Sequence, residues 1–531
     1  MLYDQLDDDQ RAFVDLALTG ENIFLTGSAG VGKTFVIKAL CEKLKENNRN
    51  FRLTATTGIA AIQIGGITIN NLLKCGLANK PIIKILEIFR NNQTLKNEWA
   101  SIETLIIDEV SMLQPRMLRI IRDYAFEAKS NRSLPFGGIQ IIAIGDFAQL
   151  PCVMTKNDRD QAIKLSNQYG PAEADNLNYS FVFKHPIWKQ TFKYYVYLRN
   201  IHRQNDIEFI SLLNRIRLNE LVDDDHRLLY SIVRKTNLLF STVSLPQSLL
   251  SSLSPSSDIK NENENTLLNI KEIKPTAILS KNDKVDQENL LKLRELCPDE
   301  SKHLIYEAVC HKEGNLKNPL ANNVYEQFFQ NMKRNCLAPS VLSLVIGLDV
   351  MLITNLKIDE GLANGSRGKI IGFTEEKHEI MPNNSNYPMK QLPIVEFENG
   401  KIKKIEYWKW SAPFRFPNSS ACYYQIPLRP AYAISIHKSQ GLTINKIYTE
   451  LNDLFADGQA YVALSRAKSL DGLYIGNYDR TAIKTSREVK NLYKKIEKHV
   501  QETNSPVISL TPISTPYIKK LKPQTIDLIE D

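Results

Sequence analysis

The first 185 residues alternate short apolar runs with amphipathic stretches. The apolar runs are nearly continuous, as is typical of strands buried on both faces of a parallel sheet. They read "NIFLTG" (22–27), "NFRLTA" (50–55), "TLIIDE" (104–109) and "IQIIAIGD" (139–146). Between them, apolar residues recur at helical spacing, for example in "KTFVIKALCEKLKE" and "SMLQPRMLRIIRDYAFEAK". The alternation predicts a βαβ series, and hence an α/β domain with a doubly wound parallel sheet over residues 1–185.

The same alternation returns later in the chain. A strand followed by a helix is predicted in "TAILSKNDKVDQENLLKL" (276–293), and similar patterns resume at "AYAISIHKSQGLT" (431–443). We therefore expect a second α/β domain formed by residues 186–340 and 430–500.

Three segments break this pattern. Residues 341–429 contain short β-like runs separated by turns, which predicts a small all-β, barrel-like insert. A stretch rich in serine and asparagine at 241–266 predicts a mobile insertion or linker. Residues 501–531 predict a flexible C-terminal tail.

Composition narrows the class of protein. The 531 residues are 43% apolar and 24% charged, which is typical of a soluble globular protein with a substantial core. The net charge of +8 suits a polyanionic partner without proving one. Seven scattered cysteines without a CxxC pair argue against zinc ribbons and iron–sulfur sites, and favour reduced thiols.

The chain shows no secretory or membrane signal. Its N-terminal segment, "MLYDQLDDDQ", is acidic where a secretory signal would be basic and then apolar. No stretch approaches about 18 uninterrupted apolar residues, so we expect no membrane span and no membrane partner. The expectation is an intracellular protein of the nucleus or cytoplasm, encoded by a cell or a large DNA virus, and not secreted.

The strongest chemical signal is "GSAGVGKT", which matches GxxxxGK[ST] in full. Its residues are Gly27, Ser28, Ala29, Gly30, Val31, Gly32, Lys33 and Thr34. The motif lies between a predicted strand and a predicted helix, where backbone N–H groups at the helix start can bind phosphate oxygens. Lys33 can neutralise phosphate charge, and Thr34 can bind Mg²⁺. The sequence therefore predicts a nucleoside triphosphate site.

Two adjacent carboxylates, Asp108 and Glu109, end another predicted strand. Asp108 is placed to hold Mg²⁺, and Glu109 to orient and deprotonate the attacking water. Such a pair indicates hydrolysis rather than mere nucleotide binding. The first domain lacks the Asn/Thr-Lys-x-Asp string that reads guanine, so ATP is favoured, and the amide of Gln10 could pair with the adenine edge.

Positive charge beside the transferring phosphate is expected from outside the loop. Arg203 in "NIHRQND" and Arg466 in "YVALSRAKSL" are the candidates. Asp146 and Gln149 in "IAIGDFAQLP" follow a predicted strand and would face the same cleft. Gln149 could sense the γ-phosphate, whereas Asp146 could equally cap its own loop or contact the catalytic water network.

Seven motifs in this order resemble those of the Pif-one-type (petite integration frequency) helicases of superfamily one, relatives of RecD. They are "GSAGVGKT", "TATTGIAA", "IDEVSM", "GDFAQLP", "HRQ", "ISIHKSQG" and "YVALSRAKSLDGLYI". The resemblance covers about residues 5–480, and residues 431–475 are its most specific part. It implies two RecA-like P-loop NTPase domains with ATP between them, a small β-barrel insert over the DNA, and 5′→3′ movement on single-stranded DNA.

The resemblance also implies residue roles. Lys33, Asp108, Glu109, Gln149, Arg203 and Arg466 would be catalytic; Gln10, the phosphate loop, Gln440 and Gly441 would bind ATP; Thr34 and Asp108 would hold Mg²⁺. The DNA contacts would be Thr57, Gly58, Thr68, Asn70, Pro151, His437, Lys438 and Ser439. Cys152 stands where the family usually has a second proline, and Asn70 where it often has histidine. The resemblance does not identify the aromatic residues that would stack on bases. Phe136, Phe147 and Tyr432 are candidates, although core packing is the better interpretation for each.

The leading hypothesis is an ATP-dependent 5′→3′ DNA helicase acting as a monomeric motor on single-stranded, tailed or forked duplex DNA. The alternatives are a translocase or RNA-acting motor without strand separation, and a nucleic-acid-binding factor with a vestigial ATPase. Replication, repair, recombination, telomere maintenance, a mobile element and a large DNA virus are all compatible pathways.

Overall fold

The computed structural model describes residues 2–74, 80–152, 154, 156–204, 206–243, 275–313, 338–357, 360–375, 391–413, 420–452 and 454–509, together with positions 326, 329–330, 332–333 and 336. The helices of the described ranges are α1 (Asp8–Leu18), α2 (Lys33–Glu46), α3 (Gly58–Ile64), α4 (Ile69–Leu73), α5 (Ile82–Asn91), α6 (Gln93–Ser101), α7 (Pro115–Lys129), α8 (Lys156–Tyr169), α9 (Asp175–Asn178), α10 (Pro186–Thr191), α11 (Ile207–Arg217), α12 (Asp223–Val243), α13 (Asn282–Leu296), α14 (Gln459–Leu464) and α15 (Arg487–Thr503). The strands are β1 (Ile23–Gly27), β2 (Phe51–Ala55), β3 (Ile67–Thr68), β4 (Thr104–Asp108), β5 (Gln140–Ile144), β6 (Tyr194–Leu198), β7 (Thr276–Leu279), β8 (Leu304–Glu307), β9 (Val309–Glu313), β10 (Val341–Leu344), β11 (Asp349–Leu352), β12 (Arg367–Phe373), β13 (Pro393–Phe397), β14 (Ile402–Lys404), β15 (Trp408–Pro413), β16 (Ser420–Gln425), β17 (Leu428–Pro430), β18 (Ala433–Ser435), β19 (Ile447–Glu450), β20 (Leu473–Asn477) and β21 (Val507–Ser509).

The first domain contains a seven-stranded sheet in the order β21-β6-β1-β5-β4-β2-β3. All its pairings are parallel except that of β21 with β6. Strands β1, β4 and β5 are buried along their whole length, as their continuous apolar runs predict. The predicted α/β fold of this region is therefore confirmed. Because the strands are parallel, the segments after β1, β4 and β5 meet at one edge of the sheet.

Two predicted boundaries of the first domain are wrong. Strand β6 lies beyond residue 185, yet it pairs with β1 over five residues, from Ile23 with Tyr194 to Gly27 with Leu198. Helix α15 was expected in the second domain, but its apolar stripe packs into the core of the first, with Tyr493 beside Phe24 and Trp188 in one buried cluster. A helix joins the surface that covers its apolar stripe, and sequence position does not report which surface that is.

The expected C-terminal tail also begins too early. Residues 501–503 complete α15, and β21 pairs antiparallel with β6. Helix α15 and strand β21 both bury apolar side chains on the first sheet, which explains why the regular structure continues past residue 500. Residues 510–531 lie outside the described residues, as does most of the segment expected at 241–266.

The second domain is built on a four-stranded parallel sheet in the order β18-β7-β19-β20. Antiparallel sheets lie between β7 and β18 in the sequence: five strands in the order β14-β13-β12-β11-β17, three in the order β15-β16-β9, and the pair β10-β8. Strands β8 and β9 join these sheets although they precede residue 341, because their partners β10 and β16 lie inside the expected insert. The antiparallel region therefore begins near Leu304.

The two domains share a buried junction. One apolar cluster of the second domain, around Ile434, Leu464 and Ile475, also includes Ala29 of the phosphate loop and Leu150. The cleft between the domains is thus lined by both sheets' loops. In the described part of the chain, no helix combines the length and apolar character needed to cross a membrane.

Candidate nucleotide and nucleic-acid site

The phosphate loop leaves β1 at Gly27 and enters α2 at Lys33. Two of its glycines cannot be replaced without strain. Gly32 caps α2 with φ 82°, and a Cβ on it would lie 2.7 Å from the amide nitrogen of Gln10. Gly30 has φ 91°, and its Cβ would lie 2.7 Å from the Cβ of Arg203. Close packing from both domains therefore fixes the loop around the start of a 14-residue helix, where N–H groups favour an anion.

Lys33 is held inside this loop. Its ammonium donates to the carbonyl oxygens of Gly27 at 2.7 Å and Ser28 at 3.0 Å. Burial lowers the pKa of Lys33, although the nearby carboxylates of Asp146 and Glu109 act in the opposite direction. A buried ammonium whose bonds are mostly to carbonyl oxygens is suited to a stronger, anionic ligand such as a phosphate.

Asp108 and Glu109 lie at the end of β4, beside the loop. Burial raises the pKa of Asp108 to about 6, and burial together with the charge of Asp108 raises that of Glu109 to about 8. The Glu109 backbone is left-handed, with φ 52°, and its N–H donates to the Asp108 carboxylate at 2.8 Å. This turn places Glu109 on the cavity wall beside the buried Asp108. Two desolvated carboxylates at a strand tip favour a cation between them and the phosphates.

Gln440 connects the two domains across the cleft. Its amide nitrogen donates to the Glu109 carboxylate at 2.9 Å and to the side-chain oxygen of Gln149 at 3.2 Å. Both first-domain partners follow parallel strands, so one amide of the second domain contacts the tips of β4 and β5. Gln63 on α3 adds a longer contact, 3.5 Å from its amide nitrogen to the Gln440 carbonyl oxygen.

Arg466 of the second domain and Arg203, which lies in the segment after β6, reach the same cleft. The Arg466 guanidinium is 1% exposed and donates to the carbonyl oxygen of Val462 and the hydroxyl of Ser465, both at 2.8 Å. Arg203 donates to carbonyl oxygens of Ser465 and Gly441 at 3.3 and 3.4 Å. Burial lowers the pKa of Arg466 to about 9 and that of Arg203 to about 10, and the charge of Arg203 adds to the effect on Arg466.

Neither arginine forms an ion pair with a carboxylate within the described part of the chain. The buried Arg466 and the partly exposed Arg203 therefore lie near each other with neutral oxygens as their hydrogen-bond partners in the described part of the chain. Such an arrangement is costly unless an anion completes it.

A tyrosine links the arginine side of the cleft to the phosphate loop. The Tyr461 hydroxyl accepts a 2.7 Å hydrogen bond from the Ala29 N–H, and burial raises the pKa of this phenol to about 12. Tyr461 lies on α14, whose C-terminal end leads to Arg466. A cavity of about 850 Å³ runs between the two sides and is lined by Lys33, Thr34, Glu109, Gln149, Arg203 and Arg466, among others. That volume suits a nucleotide.

Gln10 lies on the other side of the phosphate loop. Its amide nitrogen donates to the Val31 carbonyl oxygen at 3.1 Å, and its oxygen accepts from the Asp7 N–H at 3.2 Å in a capping box. The His202 ring is 3.0 Å from the Asp7 carboxylate and lines the cavity. The predicted adenine-side residue thus reaches the loop, with His202 as a neighbour that the sequence did not point out.

Asp146 makes an ion pair that the sequence did not predict. It forms a fully buried ion pair with Arg217 of α11, through two hydrogen bonds of 2.9 and 3.0 Å. Although burial alone would raise its pKa, the charge of Arg217 holds the pKa of Asp146 below the usual range. Arg217 in turn stacks 3.9 Å over the Tyr493 ring of α15. Asp146 also accepts from the Ala148 N–H at 3.1 Å, so the loop-capping alternative is present as well.

The predicted DNA contacts are divided between the two domains. Thr57 and Thr68 cap α3 and α4 through their hydroxyl oxygens, Gly58 opens α3, and Asn70 is exposed. Pro151, His437 and Lys438 are partly exposed. Burial lowers the pKa of both His437 and Lys438. Ser439 is a correction: it is fully buried and its hydroxyl donates to the Ile436 carbonyl oxygen at 2.8 Å, so that side chain is not offered to a ligand.

Comparison with known proteins gives consistent matches along the chain. Residues 5–226 match the family described as PIF1-like helicase, and residues 327–373 match the DNA helicase Pif1 2B domain. The ATP-dependent DNA helicase PIF1 of Danio rerio is 30% identical over 93% of this chain and 64% of its own length. This chain spans 57% of the length of the PIF1 helicase of Candida albicans and 64 to 65% of those of Danio rerio and Xenopus laevis.

Solved structures match over nearly their full length. A crystal structure of Pif1 helicase from Candida albicans is 30% identical, with a TM-score of 0.60, and the match covers 92% of this chain and 99% of that one. A crystal structure of Pif1 helicase from Bacteroides in complex with ADP-AlF3 and ssDNA is 26% identical, with a TM-score of 0.53, over 94% and 98% of the two chains.

Proposed function

Because this chain belongs to the PIF1-like helicase family, we propose that it is an ATP-dependent DNA helicase that moves 5′→3′ on single-stranded DNA and unwinds duplexes. The observation that carries the proposal is that Arg466 and Arg203, which form no ion pair with a carboxylate among the described residues, line one cavity together with Lys33 and Glu109. A cation from one domain, here Arg466, and a phosphate loop from the other are what a motor needs if ATP is to draw its domains together.

Mg²⁺ fits the oxygen donors present. The described residues contain no cluster of three or more histidine, cysteine or acidic side chains suited to a metal. Mg²⁺ is commonly held by one or two protein oxygens together with substrate phosphates, so such a cluster is not required. The Thr34 hydroxyl and the buried Asp108 carboxylate would hold it, and the ion would neutralise charge on the β- and γ-phosphates.

The hydrolytic step would use residues from both domains. Lys33 binds the phosphates and exchanges its carbonyl contacts for theirs. Glu109 orients the attacking water and accepts its proton, while Gln149 contacts the γ-phosphate. Arg466 and Arg203 stabilise the charge that develops on the transferring phosphoryl group. Gln440 donates hydrogen bonds to both Glu109 and Gln149. Closure and opening of the second domain would therefore make and break hydrogen bonds to these two catalytic groups.

DNA would bind beside the nucleotide site, along loops contributed by both domains. Thr57 and Gly58 on α3, with Thr68, Asn70 and Pro151, would hold the strand in the first domain, and His437 and Lys438 in the second. Contacts of this kind reach the sugar–phosphate backbone and carry no sequence information, as a translocating motor requires. The 5′→3′ direction follows from the family resemblance. A monomeric motor working in DNA replication, repair, recombination or telomere maintenance fits the same proposal.

Two assays test the proposal together. ATP hydrolysis is measured with and without single-stranded DNA, and strand displacement is measured on matched duplexes with only a 5′ or only a 3′ tail. We expect DNA to stimulate hydrolysis and the 5′-tailed duplex to be unwound. Hydrolysis indifferent to DNA would contradict the motor, and unwinding of the 3′-tailed duplex would contradict the direction.

A further inference from the structure

The nucleotide cavity is also bordered by the antiparallel insert. Asn355, Asn364, Trp408 and Trp410 line the same cavity as the phosphate loop; we call these four residues the insert wall. Opposite them lie Ile59, Ile62 and Gln63 of α3, the helix that Thr57 caps. The cavity that contains the phosphate site is therefore also lined by α3 and by the insert wall.

The insert wall presents an aromatic face. Trp408 and Trp410 are two residues apart on β15 and so point to the same side of the strand. Their partners on β16 are Gln425 and Tyr423, and the Trp410 and Tyr423 rings lie 6.1 Å apart between centroids. Trp410 is only 8% exposed and Tyr423 is fully buried, whereas Trp408 has intermediate exposure. Trp410 and Tyr423 thus fix the sheet, and Trp408 keeps part of its ring toward the cavity.

An unpaired polar atom lies next to this face. The side-chain oxygen of Asn364 is buried without a hydrogen-bond partner among the described residues, although the residue lines the cavity. Its loop is fixed from both sides: the Asn364 N–H donates to the Asn355 side chain at 2.8 Å, and a Cβ on Gly365 would lie 2.1 Å from the Thr443 carbonyl oxygen. A buried amide oxygen without a donor is costly, so a ligand that supplies an N–H would be favoured here.

The aromatic residues considered from the sequence are not available for stacking. Phe136, Phe147 and Tyr432 are 0%, 2% and 8% exposed and belong to apolar clusters. Among the tryptophans, Trp99 and Trp188 are fully buried in the first domain's core. Trp408 is therefore the tryptophan ring that combines partial exposure with a place on the cavity.

We propose that the insert wall binds a nucleobase of the DNA strand, with the base stacked on Trp408 and an edge N–H donated to the Asn364 side-chain oxygen. The inference rests on the proposed function, since it assigns part of the DNA site. A flat, uncharged ring accepts any base, so the contact holds the strand without reading its sequence. It also couples DNA to ATP, because the same cavity contains the residues of the phosphate site.

Tryptophan fluorescence tests the assignment directly. The chain contains four tryptophans, and Trp99 and Trp188 are fully buried. Addition of an oligothymidylate of about 12 nucleotides, long enough for a typical single-strand site, is expected to quench the emission. Trp408→Phe is expected to remove most of the quenching, whereas Trp188→Phe in the first domain should leave it in place. Quenching unchanged in Trp408→Phe would overturn the inference.

A binding comparison separates the base from the backbone. With a fluorescently labelled oligothymidylate, anisotropy is expected to show roughly 5-fold to 150-fold weaker binding by Trp408→Leu, the range that corresponds to one base–aromatic stack at about 1–3 kcal/mol. An abasic oligomer of equal length should bind both proteins within about twofold of each other, because only backbone contacts remain. Equal losses for both oligomers would overturn the stacking role and leave a merely structural one.

The same measurements distinguish the failure of this inference from failure of the proposed function. If the unaltered protein binds no labelled oligomer, the result contradicts both the proposed DNA helicase function and the proposed binding of a base at the insert wall. If it binds DNA normally but only a non-hydrolysable ATP analogue produces the quenching that Trp408→Phe removes, the insert wall belongs to the nucleotide site. That result would overturn this inference alone.

Discussion

The two faces of the nucleotide cleft are built in opposite ways. On the first domain's face, Lys33, Asp108 and Glu109 lie at the ends of neighbouring strands, and their charges partly compensate one another. On the opposite face, which we call the arginine face, Arg203 and Arg466 lie among carbonyl oxygens. Burial lowers the pKa of both, and neither forms an ion pair with a carboxylate among the described residues. One face is close to charge balance, and the other carries excess positive charge.

This difference suggests how ATP could control the distance between the domains. The phosphate loop can bind triphosphate by replacing the carbonyl contacts of Lys33. Among the described residues, no carboxylate forms an ion pair with the arginines of the other face. Binding of the phosphate charge would therefore lower the electrostatic cost of these cations. Hydrolysis and phosphate release would restore the excess and favour separation. The asymmetry therefore gives a physical reason for closure with ATP and opening without it.

Replacing Arg466 should produce the largest effect. Arg466→Gln removes the buried positive charge of the arginine face but can keep hydrogen bonds to the Val462 and Ser465 oxygens. We expect DNA-stimulated kcat to fall by about 10³-fold or more, as for an arginine that stabilises transferring phosphate, with ATP binding largely kept. Steady-state hydrolysis and binding of a fluorescent ATP analogue check this. Arg480→Gln, at an arginine side chain that is 54% exposed, should be near neutral; similar losses in both variants would remove the distinction between the faces.

Lys33→Ala should come next, with a different signature. This variant deletes the ammonium of the balanced face, so both ATP binding and hydrolysis should suffer, with a loss of about 10²-fold to 10³-fold in kcat/KM. Lys45→Ala, an exposed lysine on the same helix, is the matched control. An intact ATP affinity in Lys33→Ala would mean that the loop's N–H groups alone hold the triphosphate, and the two faces would then differ less than their charges suggest.

The first face could be predicted almost completely from the sequence, because it is made of contiguous elements. A strand, a glycine-rich turn and a helix follow one another in "NIFLTGSAGVGKTFVIKAL", and parallel pairing alone brings β4 and β5 to the same edge. Strand limits were accurate for the same reason, since continuous apolar runs mark buried parallel strands. Gln149 was found through its place after β5.

Other contacts around the cleft join chain segments that are far apart in sequence. Arg217 pairs with Asp146, 71 residues away, and Tyr493 with Thr26, 467 residues away. An arginine on an ordinary amphipathic helix carries no local sign of such a partner. The same limit explains the misplaced α15 and β6, whose apolar patterns fix helix and strand but not the sheet they join. The sequence does draw attention to Tyr461, because this residue shares one motif with Arg466. Its hydrogen bond to Ala29, however, could be found only from the structure.

Gln149→Ala tests whether the faces communicate through amides. The variant removes the oxygen that accepts from Gln440 at 3.2 Å while leaving the Gln440 bond to Glu109. We expect a decrease of about tenfold in DNA-stimulated hydrolysis, the size of one strong hydrogen bond, with DNA binding unchanged. Gln93→Ala, on the exposed surface of α6, should change neither quantity. Loss of DNA affinity together with hydrolysis would place Gln149 in the DNA site and argue against communication through this amide.

The smallest predicted effect comes from the most direct link between the faces. Tyr461→Phe deletes only the hydroxyl that accepts from the Ala29 N–H at 2.7 Å, and leaves the buried ring in place. One hydrogen bond contributes about 0.5–1.5 kcal/mol, so we expect kcat to fall roughly 2-fold to 13-fold with little change in the KM for ATP. The reason is that the bond joins the helix before Arg466 to the phosphate loop and not to the nucleotide. Tyr407→Phe is the matched control, since its buried hydroxyl has no hydrogen-bond partner among the described residues. A change in KM without a change in kcat would show that Tyr461 shapes the loop for binding, and the arginine face would then act independently of it.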